Sequence, residues 1–386
     1  MLIKRDITDH LLNMAGEYPV VSILGPRQSG KTTLAKMAFP NHQYINLEEP
    51  DIREFAQSQP RELLNNYQGD LIIDEIQRVP DLLSYIQVIT DNTKKKGQFI
   101  ITGSYQAAVK AGISQSLAGR TALITLIPLS IKELNSAGLV FERDEYIYQG
   151  FMPRIYSENQ SPKYLYQNYY ATYVERDVRQ LINIGNQIQF ERFIKLLAGR
   201  IGQIVNLNSL AGDVGVSQNT LTSWLSVLES SYILFRLPPY FNNFGKRIIK
   251  APKLYFTDVG LAASLLGIEN KEQVFRDPLF GGLFENMVIM DALKTLYNKG
   301  RTSGLYYFRN QNGLEVDLLY NAGRSIIPIE IKAGISFDLS FSKNIKLLKK
   351  LSNDITKGYV VYGGDTNTKT EDADFLSFRE LQSIFE

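Results

Sequence analysis

The octapeptide Gly25-Pro26-Arg27-Gln28-Ser29-Gly30-Lys31-Thr32 follows the apolar run VVSIL and opens the helical pattern KTTLAKMAF. It fits GxxxxGK[ST], a turn that aims successive backbone N–H groups and a helix N-terminus at phosphate oxygens. Gly25 and Gly30 allow the unusual backbone and the close approach. Lys31 is placed to put a point charge on the β- and γ-phosphates, and Thr32 to complete a magnesium shell, with Thr33 adjoining it. Such a loop works only where a buried strand feeds a helix, and that restricts the fold. The runs QYINLE, LIIDEI, FIITGS and TALITLI alternate with helical patterns such as DLLSYIQVITDNTKKK. The first third of the chain therefore reads as an α/β domain with a parallel sheet.

Leu71-Ile72-Ile73-Asp74-Glu75 is an apolar strand ending in two carboxylates. Beside a bound nucleoside triphosphate, Asp74 would hold magnesium through water and Glu75 would orient or deprotonate the attacking water. Without the loop upstream, two acids at a strand end would merely open a solvated turn. Ile100-Ile101-Thr102-Gly103-Ser104 ends a further strand. Ser104 is placed to sense the γ-phosphate or the lytic water, with Thr102 as its rival. Arg120, in SLAGR, is a candidate arginine finger for the charge spread over a triphosphatase transition state. The bland alternative is a surface arginine ahead of the domain's last strand.

The chain has 386 residues, a formal net charge of +2, no cysteine and two histidines, His10 and His42. At about 150 residues per domain, this length suggests two or three domains. Disulfide scaffolds, Cys/His zinc sites and cysteine nucleophiles are excluded. Any metal must take oxygen ligands, which favours magnesium, manganese or calcium. A charge this small gives no general attraction to nucleic acid, so such a surface must be local. No run is long and apolar enough to span a membrane, and the start MLIKRDITDH lacks a signal-peptide pattern. A soluble cytoplasmic protein with no membrane contact is the expectation.

Together GPRQSGKTTL, LIIDEIQ, ITGS and SLAGR, in that order and spacing, resemble the AAA-like P-loop ATPases of bacteria and archaea. In that family the ATPase precedes a C-terminal domain of unknown function with a restriction-endonuclease-like core. The resemblance implies ATP as the nucleotide, in line with the lack of a guanine-reading NKxD sequence. It implies a homo-oligomer too, because arginine fingers of such proteins usually act across an interface. Two further landmarks match: Gly150-Phe151-Met152-Pro153, read as a hinge, and Tyr173-Val174-Glu175-Arg176-Asp177, whose last two charges read as structural or interface residues.

The expected organisation is a P-loop AAA-type ATPase domain at 1–135, a helical lid or linker at 136–203, a winged-helix-like domain at 204–258 and a nuclease-like α/β domain at 259–386. In the third of these, LNSLAGDVG and SQNTLTSWLSVLESS form a helix-turn-helix pattern with Ser217 as N-cap. Gln218, Asn219, Thr222 and Ser223 fall on the open side of its second helix. Arg236, Lys246, Arg247, Lys250 and Lys253 follow with no acid between them, which suits a wing touching DNA phosphates. A recognition helix without cations suits a protein partner nearly as well. The last third reads α-β-β-β-α-β, the core order of PD-(D/E)xK nucleases. There Asp317 and the pair Glu330 and Lys332, two apart on one strand face, would bind a divalent ion and position water. Glu285 matches a further acid of some of these nucleases, and Glu315 could stand in for Asp317. Metal-dependent DNA cleavage is one expectation for this region; an ATP-driven switch that cuts nothing is the other.

Overall fold

The computed structural model of the chain describes residues 1–67, 69–104, 112–113, 116–178, 187–240 and 251–386, with residues 175–177 described by backbone alone. The five apolar runs of the first third become β1 (Val20–Leu24), β2 (Gln43–Asn46), β3 (Leu71–Asp74), β4 (Phe99–Gly103) and β5 (Thr121–Thr125). They form one parallel sheet in the order β2-β3-β4-β1-β5. β1, β3 and β4 are buried at every position, as strands covered on both faces must be. Helices α1 (Thr8–Glu17) and α2 (Lys31–Ala38) pack Leu11 and Leu34 onto Val21, Ile23, Ile72 and Ile100. Helix α3 (Leu82–Thr93) packs Leu82, Leu83 and Ile86 with the alternate residues Val20, Ile73 and Ile101 on the other face. Because all five strands are parallel, their C-terminal ends share one edge, where such sheets bind ligands. The loop after β1, Asp74 at the end of β3, and Ser104 after β4 meet there.

The chain then enters α4 (Ile131–Ser136) through a capping box: the Ser130 hydroxyl accepts the Glu133 N–H, and the Glu133 carboxylate accepts the Ser130 N–H. Gly150-Phe151-Met152-Pro153, which the sequence reads as a hinge, is closely packed. Gly150 has φ +65°, and a Cβ there would lie 1.9 Å from the Tyr166 hydroxyl. Phe151 and Met152 are buried, and the Phe151 N–H donates to Asp258 at 2.9 Å.

Further along the chain lie α5 (Gln187–Ala198), α6 (Leu207–Val214) and α7 (Gln218–Ser230). Gly215 ends α6 at φ +80°, and Ser217 caps α7 by accepting the Thr220 N–H. Trp224 packs its indole against Phe190 and Phe193, while Gln218, Asn219, Thr222 and Ser223 stay exposed. An antiparallel pair, β6 (Leu234–Leu237) and β7 (Lys253–Phe256), completes this part.

Helix α8 (Phe280–Asn298) leads into β8 (Leu305–Arg309), β9 (Glu315–Asn321), β10 (Ile326–Lys332), α9 (Lys343–Lys349), β11 (Gly358–Tyr362), β12 (Thr368–Lys369) and β13 (Ala373–Ser377). The sheet order is β12-β13-β11-β10-β9-β8, with β8, β9 and β10 antiparallel and β11 parallel to β10. Helix α8 is buried from Asn286 through Leu296, because it lies between this sheet and the first domain. Among the described residues no helix is long and apolar enough to cross a membrane.

Candidate nucleotide site and the C-terminal carboxylate site

At the edge of the parallel sheet the loop 25–32 closes tightly. A Cβ on Gly25 would stand 1.9 Å from the Leu126 carbonyl oxygen, so only glycine fits. Gly30 sits at φ +90° and starts α2. Lys31 is buried, and its ammonium donates to the carbonyls of Pro26 at 2.8 Å and Gly25 at 3.2 Å. Burial lowers its pKa, against the pull of Glu75 and Asp74. The Ser29 hydroxyl is buried with no hydrogen-bond partner. Arg27 donates to Glu48 at 3.1 Å and lies over the Tyr173 ring. Gln28 and Thr33 line the cavity above the loop.

Thr32 and Asp74 come together: the threonine hydroxyl lies 2.8 Å from one carboxylate oxygen and 3.1 Å from the other. Tyr44 donates to the same carboxylate at 2.9 Å, and Thr102, on the strand between β1 and β3, bonds to it as well. A hydroxyl and a carboxylate facing each other are the hard oxygen donors that magnesium takes, so Thr32 and Asp74 fit that ion. Glu75, next along, adopts φ +58°. Its carboxylate is gripped by Gln77 and by the Ser104 hydroxyl at 3.3 Å, and its N–H reaches Thr102 at 3.3 Å. Thr102 thus serves Asp74 while Ser104 serves Glu75.

The cavity over the loop has a volume of about 650 Å³, within the range of small-molecule sites. Leu2, Ile3, Met37, Leu129 and Pro153 give it an apolar side, and Arg154, ion-paired to Glu158 at 2.9 Å, a charged one. Sequence patterns did not indicate this wall. Nor did they indicate Arg5, whose guanidinium braces the loop: it donates to the Ser29 carbonyl at 2.8 Å, the Ile127 carbonyl at 2.7 Å and Glu133 at 3.0 Å. Arg120 lies elsewhere. It precedes β5, whose Thr121 is level with Val20 at the start of β1. That puts it about 16 Å of strand away from the loop. Its guanidinium is paired with Asp91 of α3 at 2.5 and 3.1 Å, so it does not reach the nucleotide site of its own chain.

In the C-terminal sheet, Asp317 and Glu330 lie side by side on β9 and β10, and Lys332 donates to both, at 3.2 and 2.5 Å. The Ile331 N–H adds a bond to Asp317 at 2.8 Å. Glu330 is 1% exposed at its side chain and keeps one carboxylate oxygen without a partner. Burial, then the charge of Asp317, pushes its pKa up to about 8. Burial also acts to raise Asp317, but Lys332, Lys253 and the Ile331 N–H together hold it below the usual range. Glu285 of α8 accepts from Lys253 at 3.0 Å and from Tyr255 at 2.5 Å, and burial with Asp317 nearby pushes it up to about 7. Glu315 accepts from the same Lys253 at 2.7 Å and from Arg309 at 3.2 Å.

Asp317, Glu330 and Glu285 are not assembled as one ligand set: among the described residues no three such groups are placed to hold a metal ion. Ammonium groups stand between the acids instead, so the residues present do not fit a divalent cation. The basic wing is also reduced, because Arg236 is paired with Glu229 and Lys253 is buried. Lys246, Arg247 and Lys250, and the side chains of Arg176 and Asp177, lie outside the described residues.

Residues 17–135 match the AAA domain family, residues 141–272 a domain of unknown function (DUF8612) and residues 280–381 another (DUF4143). The uncharacterized protein Rv2008c of Mycobacterium tuberculosis is 30% identical over 332 residues, covering 85% of this chain and 74% of that protein. The uncharacterized protein MJ1637 of Methanocaldococcus jannaschii is 24% identical, covering 90% of this chain and 82% of its own length. Among solved structures, the Walker-type ATPase PABY2304 of Pyrococcus abyssi aligns with a TM-score of 0.43 and 14% identity, covering 67% of this chain and 94% of that one. The chain thus belongs to the family of the mycobacterial protein Rv2008c, and its residues 17–135, which carry the phosphate loop and the paired acids, are an AAA domain.

Proposed function

We propose that the protein binds ATP with magnesium and hydrolyses it, and that nucleotide state is passed to the C-terminal region through α8. The observation that carries this reading is the unbroken polar path from loop to helix. Arg5 holds the Ser29 carbonyl and Glu133, and Glu133 also receives the Asn298 amide of α8 at 3.5 Å. Beside it Asp291 accepts the Ile131 N–H at 2.8 Å, and Lys294 donates to the Leu129 carbonyl at 2.7 Å. Lys31 would carry the phosphates, Thr32 and Asp74 would hold magnesium, and Glu75 would direct the lytic water, aimed by Ser104 and Gln77. The apolar wall of the cavity suits the base. Arg120, set on the far edge of its own sheet, suits a finger offered to a neighbouring subunit of a homo-oligomer.

Helices α5–α7 with the β6–β7 pair have the element order of a winged helix, and the open polar face of α7 suits a DNA or protein partner. For the C-terminal region the non-cleaving switch is the better supported reading, because its carboxylates are engaged by lysines. Metal-dependent cleavage is favoured by one observation, the meeting of Asp317, Glu330 and Lys332 on one sheet face. Phosphate release by purified protein, with Lys31→Ala as control, tests the ATPase. Release no greater than that of the control, with DNA or without, would sink it. Metal-dependent cutting of plasmid or branched DNA that disappears in Lys332→Ala would instead establish the nuclease.

A further inference from the structure

The acids of the C-terminal sheet meet a cation that does not come from the α-β-β-β-α-β unit at all. Lys253 belongs to β7, and its backbone is paired on one side with Leu237 and on the other with Ile204. It is 2% exposed. Its ammonium lies 3.0 Å from Glu285, 2.7 Å from Glu315 and 5.6 Å from the centre of the Tyr307 ring. Two carboxylates take two of the ammonium's three N–H donors, and the Tyr307 ring faces it from a further side. The surroundings hold it in place. The Tyr307 hydroxyl bonds the Ala251 carbonyl, and the Gly202 N–H bonds the Leu254 carbonyl at 3.3 Å. A Cβ on Gly202, at φ +72°, would stand 3.3 Å from the Glu285 carboxylate, so the loop 200–204 seals the same pocket.

We propose that Lys253 is the resident cation of this carboxylate site and that it shuts the site to divalent metals. Two arguments support the assignment. Magnesium and manganese draw carboxylate oxygens in to roughly 2.0–2.2 Å, whereas the ammonium keeps Glu285 and Glu315 at 2.7–3.0 Å from its centre. A buried ammonium cannot simply retreat, because leaving it unpaired is costly. Asp317 stands two residues from Glu315 on β9 and so shares its strand face, which makes it the further acid a metal would reach once Lys253 is neutralised. The site is thus an ion-pair clasp joining β7 to α8 and β9. The inference is independent of the ATPase reading and sharpens the choice between the two C-terminal readings.

The test is a manganese titration of the full-length, nucleotide-free protein, following the electron paramagnetic resonance signal of free Mn²⁺. An Asp74→Asn background silences the loop site. With Lys253 present, no Asp317-dependent uptake is expected up to about 1 mM, the weak end of protein cation sites. Lys253→Met should take up one Mn²⁺ per chain, and adding Asp317→Asn should abolish that uptake. Lys253→Gln, neutral but still able to donate to Glu315, repeats the experiment should the methionine variant fail to melt cooperatively. Mn²⁺ bound with Lys253 intact and lost in Asp317→Asn overturns the proposal. So does a folded Lys253 variant that takes up none. Phosphate release is read separately, so neither result is confused with failure of the ATPase.

Discussion

Glu75 occupies a backbone position that its residue type disfavours. At φ +58° a side chain with a Cβ costs on the order of 1–2 kcal/mol, and strain of this kind persists where surrounding contacts over-determine it. The contacts are Thr102 on its N–H and Gln77 and Ser104 on its carboxylate. They aim the carboxylate along the sheet edge toward the space over Lys31. Glu75→Gln keeps the shape and loses the base, so phosphate release should fall by about 10²–10⁴-fold. ATP should still raise the melting temperature, since Lys31, Thr32 and Asp74 are untouched. Equal loss of ATP binding and turnover would mean that Glu75 holds the nucleotide. The residues of this edge were legible in the sequence because each lies in a short motif at a strand end. Arg5 was not, because its partner Glu133 is 128 residues away and nothing local marks the pairing. Lys253 looked like one more cation of a basic run until burial placed it among carboxylates.

Between the two sheets, α8 carries charge through a dry contact. Asp291 is 1% exposed, with one oxygen on the Ile131 N–H and the other unpartnered, and burial pushes its pKa up to about 6 from 3.8. The folded state therefore holds this proton more tightly than the unfolded chain does. The stabilisation is complete below about pH 4 and is lost as pH rises through about 6. Asp291→Asn has no such proton. Urea unfolding of both proteins from pH 4 to 7 should show the wild type losing up to about 3 kcal/mol relative to the variant. A flat difference would mean that Asp291 is ionised throughout, paired with Lys294. The strands around this helix were readable from period and composition, since buried parallel strands are apolar at every position. The packing around Gly150 was not readable in this way. A glycine–proline segment looks like a hinge in sequence, and only the 1.9 Å clearance beside Tyr166 shows that it is a close-packed joint.

At the scale of the whole molecule, the distribution of charge around the parallel sheet bears on how many chains make one working site. Everything that would touch the phosphates from within the chain lies at the C-terminal edge of the strands, and Arg120 lies at the other. Its salt bridge to Asp91 is part-exposed, and such pairs are worth about 0–1 kcal/mol. The guanidinium can therefore be redirected at little cost. If it completes a neighbour's site, Arg120→Ala and Lys31→Ala damage different halves of the same composite centre. Each variant alone should release phosphate at a small fraction of the wild-type rate, a finger being worth about 10³–10⁵-fold. Mixing them creates interfaces in which an intact loop faces an intact arginine. Turnover should then rise above the sum of the two separate proteins and peak near equal proportions. An Arg120→Lys protein should not rescue Lys31→Ala to the same extent, because an ammonium does not reproduce the planar fork of a guanidinium. Additive rates in the mixture, with both variants folded, would return Arg120 to the bland reading of a surface arginine tied to Asp91. The nucleotide site would then have to work with the charges of one chain, among them Arg27 and Arg154, which already line the cavity.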